Sequence, residues 1–241
     1  MTFDQSEFDV RCEWGEQGIR QLAPISDAII IVDVLSFSTC VSIATAQGAL
    51  VYPYNRQDVP ANEFAHSLGA ELAGHRGESR YSLSPASLAQ LPVGMRLVLP
   101  SPNGSKLSLV TGKRPTFAGC LRNAKAVAHA ALKYGGKVSV IPAGERWADD
   151  HSLRPAIEDW VGAGAILHHL PGSHSPEARL AAEAFRSTSL DLEAAILQCS
   201  SGKELMAKGF TQDIILAAAL DADPFAPILR DGCYQKIDPQ A

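Results

Sequence analysis

The stretch Ala28-Ile-Ile-Ile-Val-Asp-Val34 (AIIIVDV) decides the fold. Its apolar residues follow one another without the alternation of a strand that faces water on one side. Such a run reads as a short strand buried on both faces, the kind found in a parallel sheet covered by helices. Similar apolar runs occupy residues 8–12, 49–54, 95–99, 115–118 and 137–141. Between them, residues 38–47, 59–72, 105–110, 123–134 and 155–169 carry helical spacing. Strands that alternate with helices of this length predict an α/β protein, its sheet parallel or mostly parallel and covered on both faces.

Beyond residue 170 the pattern becomes that of successive helices, at 175–187, 190–198, 202–209 and 211–220. Ser175-Pro176-Glu177 supplies a cap, a first-turn proline and a first-turn acid. Residues 225–229 and 233–237 return as short strands. No internal repeat, low-complexity segment or linker divides the chain, so residues 1–241 are expected to form one unit.

Composition narrows the function classes. Of 241 residues, 46% are apolar and 20% charged, enough for a sizeable core. The net charge of −5, with no basic block, argues against a nucleic-acid partner. A small anionic substrate stays compatible with a weakly acidic protein, because a pocket can be locally basic. No apolar run reaches the length of a membrane span, and the opening Met1-Thr-Phe-Asp-Gln-Ser-Glu7 lacks the order of a secretory signal, so a cytoplasmic location is expected. The five cysteines are scattered and form no Cys-x-x-Cys pair, which disfavours disulfides and structural zinc. Apolar helices in the C-terminal third leave a homodimer open.

In an open α/β sheet, ligands bind beyond the carboxyl ends of the strands, so the residues after each apolar run carry the candidate chemistry. Asp33 ends one strand, and Ser38 and Thr39 open the next helix. Asp33 suits a magnesium ion or activation of water, and the two hydroxyls suit a phosphate; equally, Asp33 or Ser36 caps the helix. Arg76, between Gly74 and Gly77, has the fork geometry for a phosphate, sulfonate or carboxylate, or lies on a surface loop. Asn103-Gly104-Ser105 brings backbone N–H groups, an amide and a hydroxyl to a helix start, as an anion cradle or a plain Asn-Gly turn. Lys106 beside it is either added positive charge or a solvated side chain. Arg122 and Asn123 stand at another strand end, as a second anion clamp or with Asn123 as the N-cap. Glu145, Glu158 and Asp159 make a candidate divalent-metal or acid–base cluster. Adjacent helical residues diverge by about 100°, so Glu158 and Asp159 both face the site only if it lies at the first helical turn. Gly162 and Gly164 in the same helix predict close backbone packing.

Taken in order, the segments VDVLSFSTCVSIATAQGA (32–49), GHRGESRYSLSPASL (74–88), SPNGSKLSL (101–109), GCLRNAKAVA (119–128), IPAGE (141–145), AIEDWVGAGAI (156–166) and SSGKELMAKGFTQDIILAAALD (200–221) resemble the 2-phosphosulfolactate phosphatase family across nearly the whole chain. The resemblance implies a three-layer α/β/α fold with a mostly parallel or mixed sheet and a helical C-terminal third. It also implies a magnesium-dependent phosphatase acting on a small phosphorylated sulfonate or a related phosphorylated hydroxy acid. On that reading, Asp33, Glu145 and Glu158 are catalytic, and Asp33, Glu145 and Asp159 hold Mg2+. Ser38, Thr39, Arg76, Asn103, Gly104, Ser105, Arg122 and Asn123 contact the substrate. The chain departs from the family pattern at Ser36, His75 and Leu83, where an arginine, a glutamate and an asparagine are usual. The competing reading is a non-catalytic small-anion-binding protein on the same scaffold.

Overall fold

A computed structural model describes residues 3–55 and 58–238. The N-terminal part runs β1 (Val10–Cys12), α1 (Gly15–Leu22), β2 (Ala28–Val32), α2 (Phe37–Ala46), β3 (Leu50–Tyr54), α3 (Ala61–Leu68), β4 (Glu71–Leu72), β5 (Arg96–Pro100) and α4 (Gly104–Leu109). It continues through β6 (Thr116–Gly119), α5 (Ala124–Leu132), β7 (Val138–Pro142), a small hairpin of β8 (Glu145–Arg146) and β9 (Leu153–Arg154), and α6 (Ile157–Leu167). The C-terminal part is α7 (Pro176–Thr188), α8 (Leu192–Gln198), α9 (Ser200–Ala207), α10 (Thr211–Ala218), β10 (Ala226–Arg230) and β11 (Cys233–Ile237).

Nine strands form one sheet in the order β1-β7-β2-β6-β10-β11-β3-β5-β4. The β1-β7-β2-β6 strands are mutually parallel, as are β3, β5 and β4. The terminal hairpin separates these blocks, with β10 antiparallel to β6 and β11 antiparallel to β3. The sheet is therefore mixed. Five strand-to-strand steps separate β2 from β5, and at roughly 20–25° of twist per step the sheet turns through more than a right angle between them. Strand ends that a flat sheet would hold apart are in contact here, since the Gly104 N–H, after β5, donates to Asp33, after β2, at 2.9 Å.

The unalternating β2 run is buried throughout. Ile30 and Val32 pack with Val127 of α5, Ala163 of α6 and Phe185 of α7. Ile29 and Ile31 pack on the other face with Ile19 and Leu22 of α1 and Leu107 of α4. Helices thus cover both faces, giving the three layers. All five cysteines are free and buried, packed as small apolar residues. Among the described residues no helix is long and apolar enough to cross a membrane.

Most element boundaries match the sequence expectation within two residues, with three differences. Helix α3 stops at Leu68 because Gly69 takes a left-handed conformation at φ 59°, and residues 71–72 pair with β5 as a strand. Helix α1 and the β8–β9 hairpin carry weak local signals and were not expected. Ser84 precedes a short 3-10 turn at Pro85–Leu88, yet its side chain makes no cap bond there. It donates instead to Asp213, 129 residues away.

The α6 glycines have the packing reason anticipated for them. A Cβ on Gly164 would fall 2.0 Å from the Ala181 carbonyl oxygen of α7, and one on Gly162 would fall 2.6 Å from Val34. Because the obstacle at Gly164 is backbone, Gly164→Ala is expected to lower stability by about 3 kcal/mol, the upper end for overpacking. Urea unfolding measures this; a loss below about 0.5 kcal/mol, the range of an unconstrained surface change, would mean that α6 and α7 separate easily.

Candidate active site

Four loops meet where β2, β5 and β7 end. Asp33 follows β2, and its buried carboxylate is held from two sides: Oδ1 accepts the Phe37 N–H at 3.0 Å and Oδ2 the Gly104 N–H at 2.9 Å. Asp33 is therefore also the acceptor at the start of α2, whose N-cap residue Ser36 makes no side-chain cap bond. Capping and a place in the site coincide in one residue. Asn103 precedes α4 and donates through Nδ2 to Glu145 Oε2 at 3.0 Å, across to the strand end of β7 and the hairpin behind it. The Asn103 Oδ1 atom is buried with no hydrogen-bond partner among the described residues.

Glu158 and Asp159 lie in the first turn of α6, and both are buried, so the site does sit at that turn. Asp159 Oδ1 accepts the Val34 N–H at 2.7 Å, and Oδ2 accepts the Gly144 N–H at 2.9 Å. It ties the loops after β2 and β7 together. Glu158 adds its charge to the same pocket, raising both Asp33 and Asp159, and also lies against the Cys199 thiol.

Electrostatically the pocket is a set of buried carboxyls close enough to repel one another. Burial, with the Glu158 charge adding to it, raises Asp33 from its ordinary 3.8 to about 6 against the lowering effect of its N–H donors. Burial and then the Asp33 charge raise Glu145 from 4.5 to about 7, while the Asn103 bond and Arg154 act the other way. Asp159 is raised as well, first by burial and then by Asp33. None of the four carboxylates belongs to an ion pair within 4.0 Å among the described residues; those pairs lie elsewhere, at Arg76–Asp213, Arg122–Asp223 and Lys106–Glu16. Lys106 is thus neither a free charge at the site nor a purely solvated side chain.

The raised values carry a stability consequence with a definite sign. Between about pH 4 and pH 7 the folded protein binds more protons at Asp33 and Glu145 than the unfolded chain does. Stability must then fall as pH rises through that window. Thermal midpoints of chelator-treated protein from pH 4.5 to 8 should show this decline. A midpoint that rises or stays flat across the window would mean that the cluster is already compensated.

Several residues expected at the site turn inward instead. Ser38 Oγ accepts the Asp33 N–H at 3.1 Å and donates to the Ile31 carbonyl at 3.2 Å, and Thr39 Oγ1 donates to the Val34 carbonyl at 2.7 Å. Ser105 Oγ donates to the Leu99 carbonyl at 2.7 Å. All three are fully buried and shape the turns around Asp33 and Gly104. The Arg122 guanidinium forms a fork with Asp223 at 2.8 and 2.9 Å and also donates to the Leu216 carbonyl at 2.8 Å, which commits it to the C-terminal helices. Asn123 is fully buried, accepting the Cys120 N–H and donating to Ser42 and the Ala118 carbonyl. Hydroxyls and amides at helix starts serve anion binding and backbone closure alike, so local sequence does not separate the two uses.

Arg76 does reach the site. Its Nη2 donates to Ser36 Oγ at 3.0 Å and to the Leu83 carbonyl. Beside it opens a cleft of about 760 Å³ lined by Tyr54, Leu72, His75, Leu83, Pro100 and Ser101, among others. Pro102, which precedes Asn103 in the chain, also lines it. Two of the departures from the family pattern, His75 and Leu83, are in its wall. Sequence reasoning missed Ser101, whose Oγ accepts the Asn103 and Gly104 N–H groups at 3.3 and 3.2 Å, and Arg154, which faces Glu145 across the β8–β9 pairing. Ser101 opens the motif already singled out; Arg154 had no local signal.

No group of three or more His, Cys, Asp or Glu among the described residues is disposed to hold a metal ion. Asp159 and Asp33 each have both oxygens on backbone N–H groups, and each oxygen keeps a second lone pair. The Asp33 and Glu145 carboxylates, joined through the Asn103-Gly104 loop, and the orphaned Asn103 Oδ1 are hard oxygens. That set suits magnesium, which commonly takes one or two carboxylates and completes its shell with water and substrate oxygen.

Comparison with known proteins adds an independent line. The profile described as 2-phosphosulpholactate phosphatase matches residues 17–232. The 2-phosphosulfolactate phosphatase of Methanothermobacter thermautotrophicus is 30% identical over 220 residues, covering 88% of this chain and 91% of that protein. A probable 2-phosphosulfolactate phosphatase of Carboxydothermus hydrogenoformans is 29% identical over 204 residues, covering 80% of this chain and 82% of its own length. Another from Gloeobacter violaceus is 29% identical over 221 residues, with 81% and 85% covered.

Proposed function

Since the chain belongs to the 2-phosphosulfolactate phosphatase family, we propose that it is a phosphoric monoester hydrolase acting on a small anionic ester, 2-phosphosulfolactate in the first instance, with magnesium. The observation that carries this reading is the meeting of Asp33, Glu145 and Glu158 with the Asn103-Gly104 loop, their carboxylates in no ion pair with lysine or arginine among the described residues. A protein that only binds anions has no use for a pocket of repelling carboxylates. A metal-assisted phosphatase does.

In the proposed reaction water adds to phosphorus, the ester P–O bond breaks, and the leaving oxygen takes up a proton; the products are sulfolactate and inorganic phosphate. Asp33, Glu145 and Asn103 Oδ1 would hold magnesium, which would supply neutralisation of charge on the transferring phosphoryl group. The residues of the chain supply position and proton balance. Two N–H donors fix the Asp33 carboxylate, so it needs no reorganisation when charge moves nearby. Glu158, buried in the first turn of α6, is the carboxyl left to exchange a proton with water or the leaving oxygen. Arg76 holds the other anionic end of the ester in the cleft lined by His75 and Leu83.

Phosphate release from 2-phosphosulfolactate and phospholactate, with magnesium and with chelator, tests the proposal. Turnover in magnesium that chelator abolishes is the expected result. Sulfolactate or phosphate binding without turnover of any ester would favour the anion-binding reading.

A further inference from the structure

Asp213 lies in the first turn of α10, and its side chain is only 1% exposed. One carboxylate oxygen, Oδ1, accepts the Ser84 hydroxyl at 2.6 Å and the Ala86 N–H at 3.0 Å. The other, Oδ2, is buried without a hydrogen bond and lies 3.7 Å from Arg76 Nε. A buried carboxylate held this way is costly unless its charge has a use. Among the described residues the cation paired with it is Arg76, which also stacks over the Phe210 ring at 5.3 Å and is itself 18% exposed. Ser36, Leu83, Phe210 and Asp213 thus hold one edge and one face of the guanidinium. Its Nη1 has no partner among the described residues. His75, next to Arg76, and Leu83, whose carbonyl accepts from Arg76, line the same cleft as Ser101 and Pro102 of the loop that carries Asn103.

We propose that Asp213 is a positioning residue that fixes Arg76 for recognition of the non-reacting anionic group, carboxylate or sulfonate, of the phosphoester. The inference rests on the phosphatase reading and deepens it. An arginine left free would have to be ordered by each incoming substrate, and that ordering would be taken from the binding free energy. Held in advance, its fork meets a planar or tetrahedral oxyanion without that loss. The cleft walls fit the same substrate, since Tyr54, Leu72 and Pro100 suit a short carbon body between two charged ends.

Asp213→Asn keeps an oxygen acceptor for Ser84 and Ala86 and puts a neutral NH₂ in place of the charged oxygen that faces Arg76. Steady-state phosphate release should be compared for 2-phosphosulfolactate and for phenyl phosphate, which lacks a second anionic group. The expected result is a KM for 2-phosphosulfolactate raised at least tenfold more than that for phenyl phosphate, with kcat changed less than KM. Arg76→Ala should show the same bias, and Asp213→Asn should add nothing to it in the double variant. Equal losses on both esters, or additive losses in the double variant, would overturn the proposal. If the unmodified protein releases phosphate from neither ester, the phosphatase reading fails separately. Calorimetric binding of sulfolactate then decides: a tenfold weakening in Asp213→Asn supports the positioning role, and unchanged or absent binding overturns it.

Discussion

Asp33→Asn should lower kcat for phosphate release by about 10³- to 10⁴-fold, the range in which positioned acid–base and nucleophilic groups act. The substitution preserves size. One of the two N–H donors, Phe37 or Gly104, would then face an amide NH₂ in place of an oxygen. Losing that hydrogen bond costs about 1 kcal/mol, and removing a buried, repelled charge offsets it. The variant should therefore stay folded, with a thermal midpoint near that of the unmodified protein at pH 7. It should also show a shallower decline between pH 4 and pH 6, because one of the three raised groups is gone. Phosphate release and a circular-dichroism melt check both halves. Activity within tenfold of the unmodified protein would remove Asp33 from the chemistry and leave it as a helix cap.

Gly104→Ala should have the next largest effect although it removes no functional group. A Cβ there would sit 2.2 Å from Phe37 Cδ1, and Phe37 is fully buried against the edge of Tyr234. The Gly104 N–H that orients Asp33 and the neighbouring Asn103 that contacts Glu145 would both shift with the loop. A displacement of about 1 Å at a reacting centre costs roughly 10²-fold in rate, so kcat/KM should fall by about that factor. A crystal structure of the variant should show the loop moved and Asp33 left with a single N–H donor. Full activity would mean that Phe37 yields without disturbing the loop.

The strands were legible because burial on both faces writes itself as unbroken apolar runs, and β2 is the clearest case. The direction of the second block was not legible. Nothing in residues 50–54 or 96–100 says that they run opposite to the strands of the first block. Register across β11 and β3 rests on one long-range pair, Tyr234 with Val51. At the site, Asp33, Asn103, Gly104 and Glu145 stood out because they follow strands directly. Ser38, Thr39, Ser105 and Asn123 stood out for the same reason, yet their groups close the backbone. Asp213 could not be found this way, because its partners Ser84 and Arg76 are more than a hundred residues distant and helix α10 looks ordinary by itself.

The terminal hairpin has a consequence for how the protein is made. Among the described residues, strands β6 and β3 are joined through β10 and β11, which follow every other strand in the chain order. Tyr234 of β11 also meets Ser108 of α4 and Phe37 of α2, the two helices whose first turns face each other through Asp33 and Gly104. Chains grow from the N-terminus and fold as they emerge, so each parallel block can collapse early. Until residues 226–237 arrive, both blocks present an open strand edge, and an open edge invites pairing with other chains. A chain that lacks residues 226–237 is thus both catalytically unassembled and adhesive, and the hairpin they form closes both edges in one step.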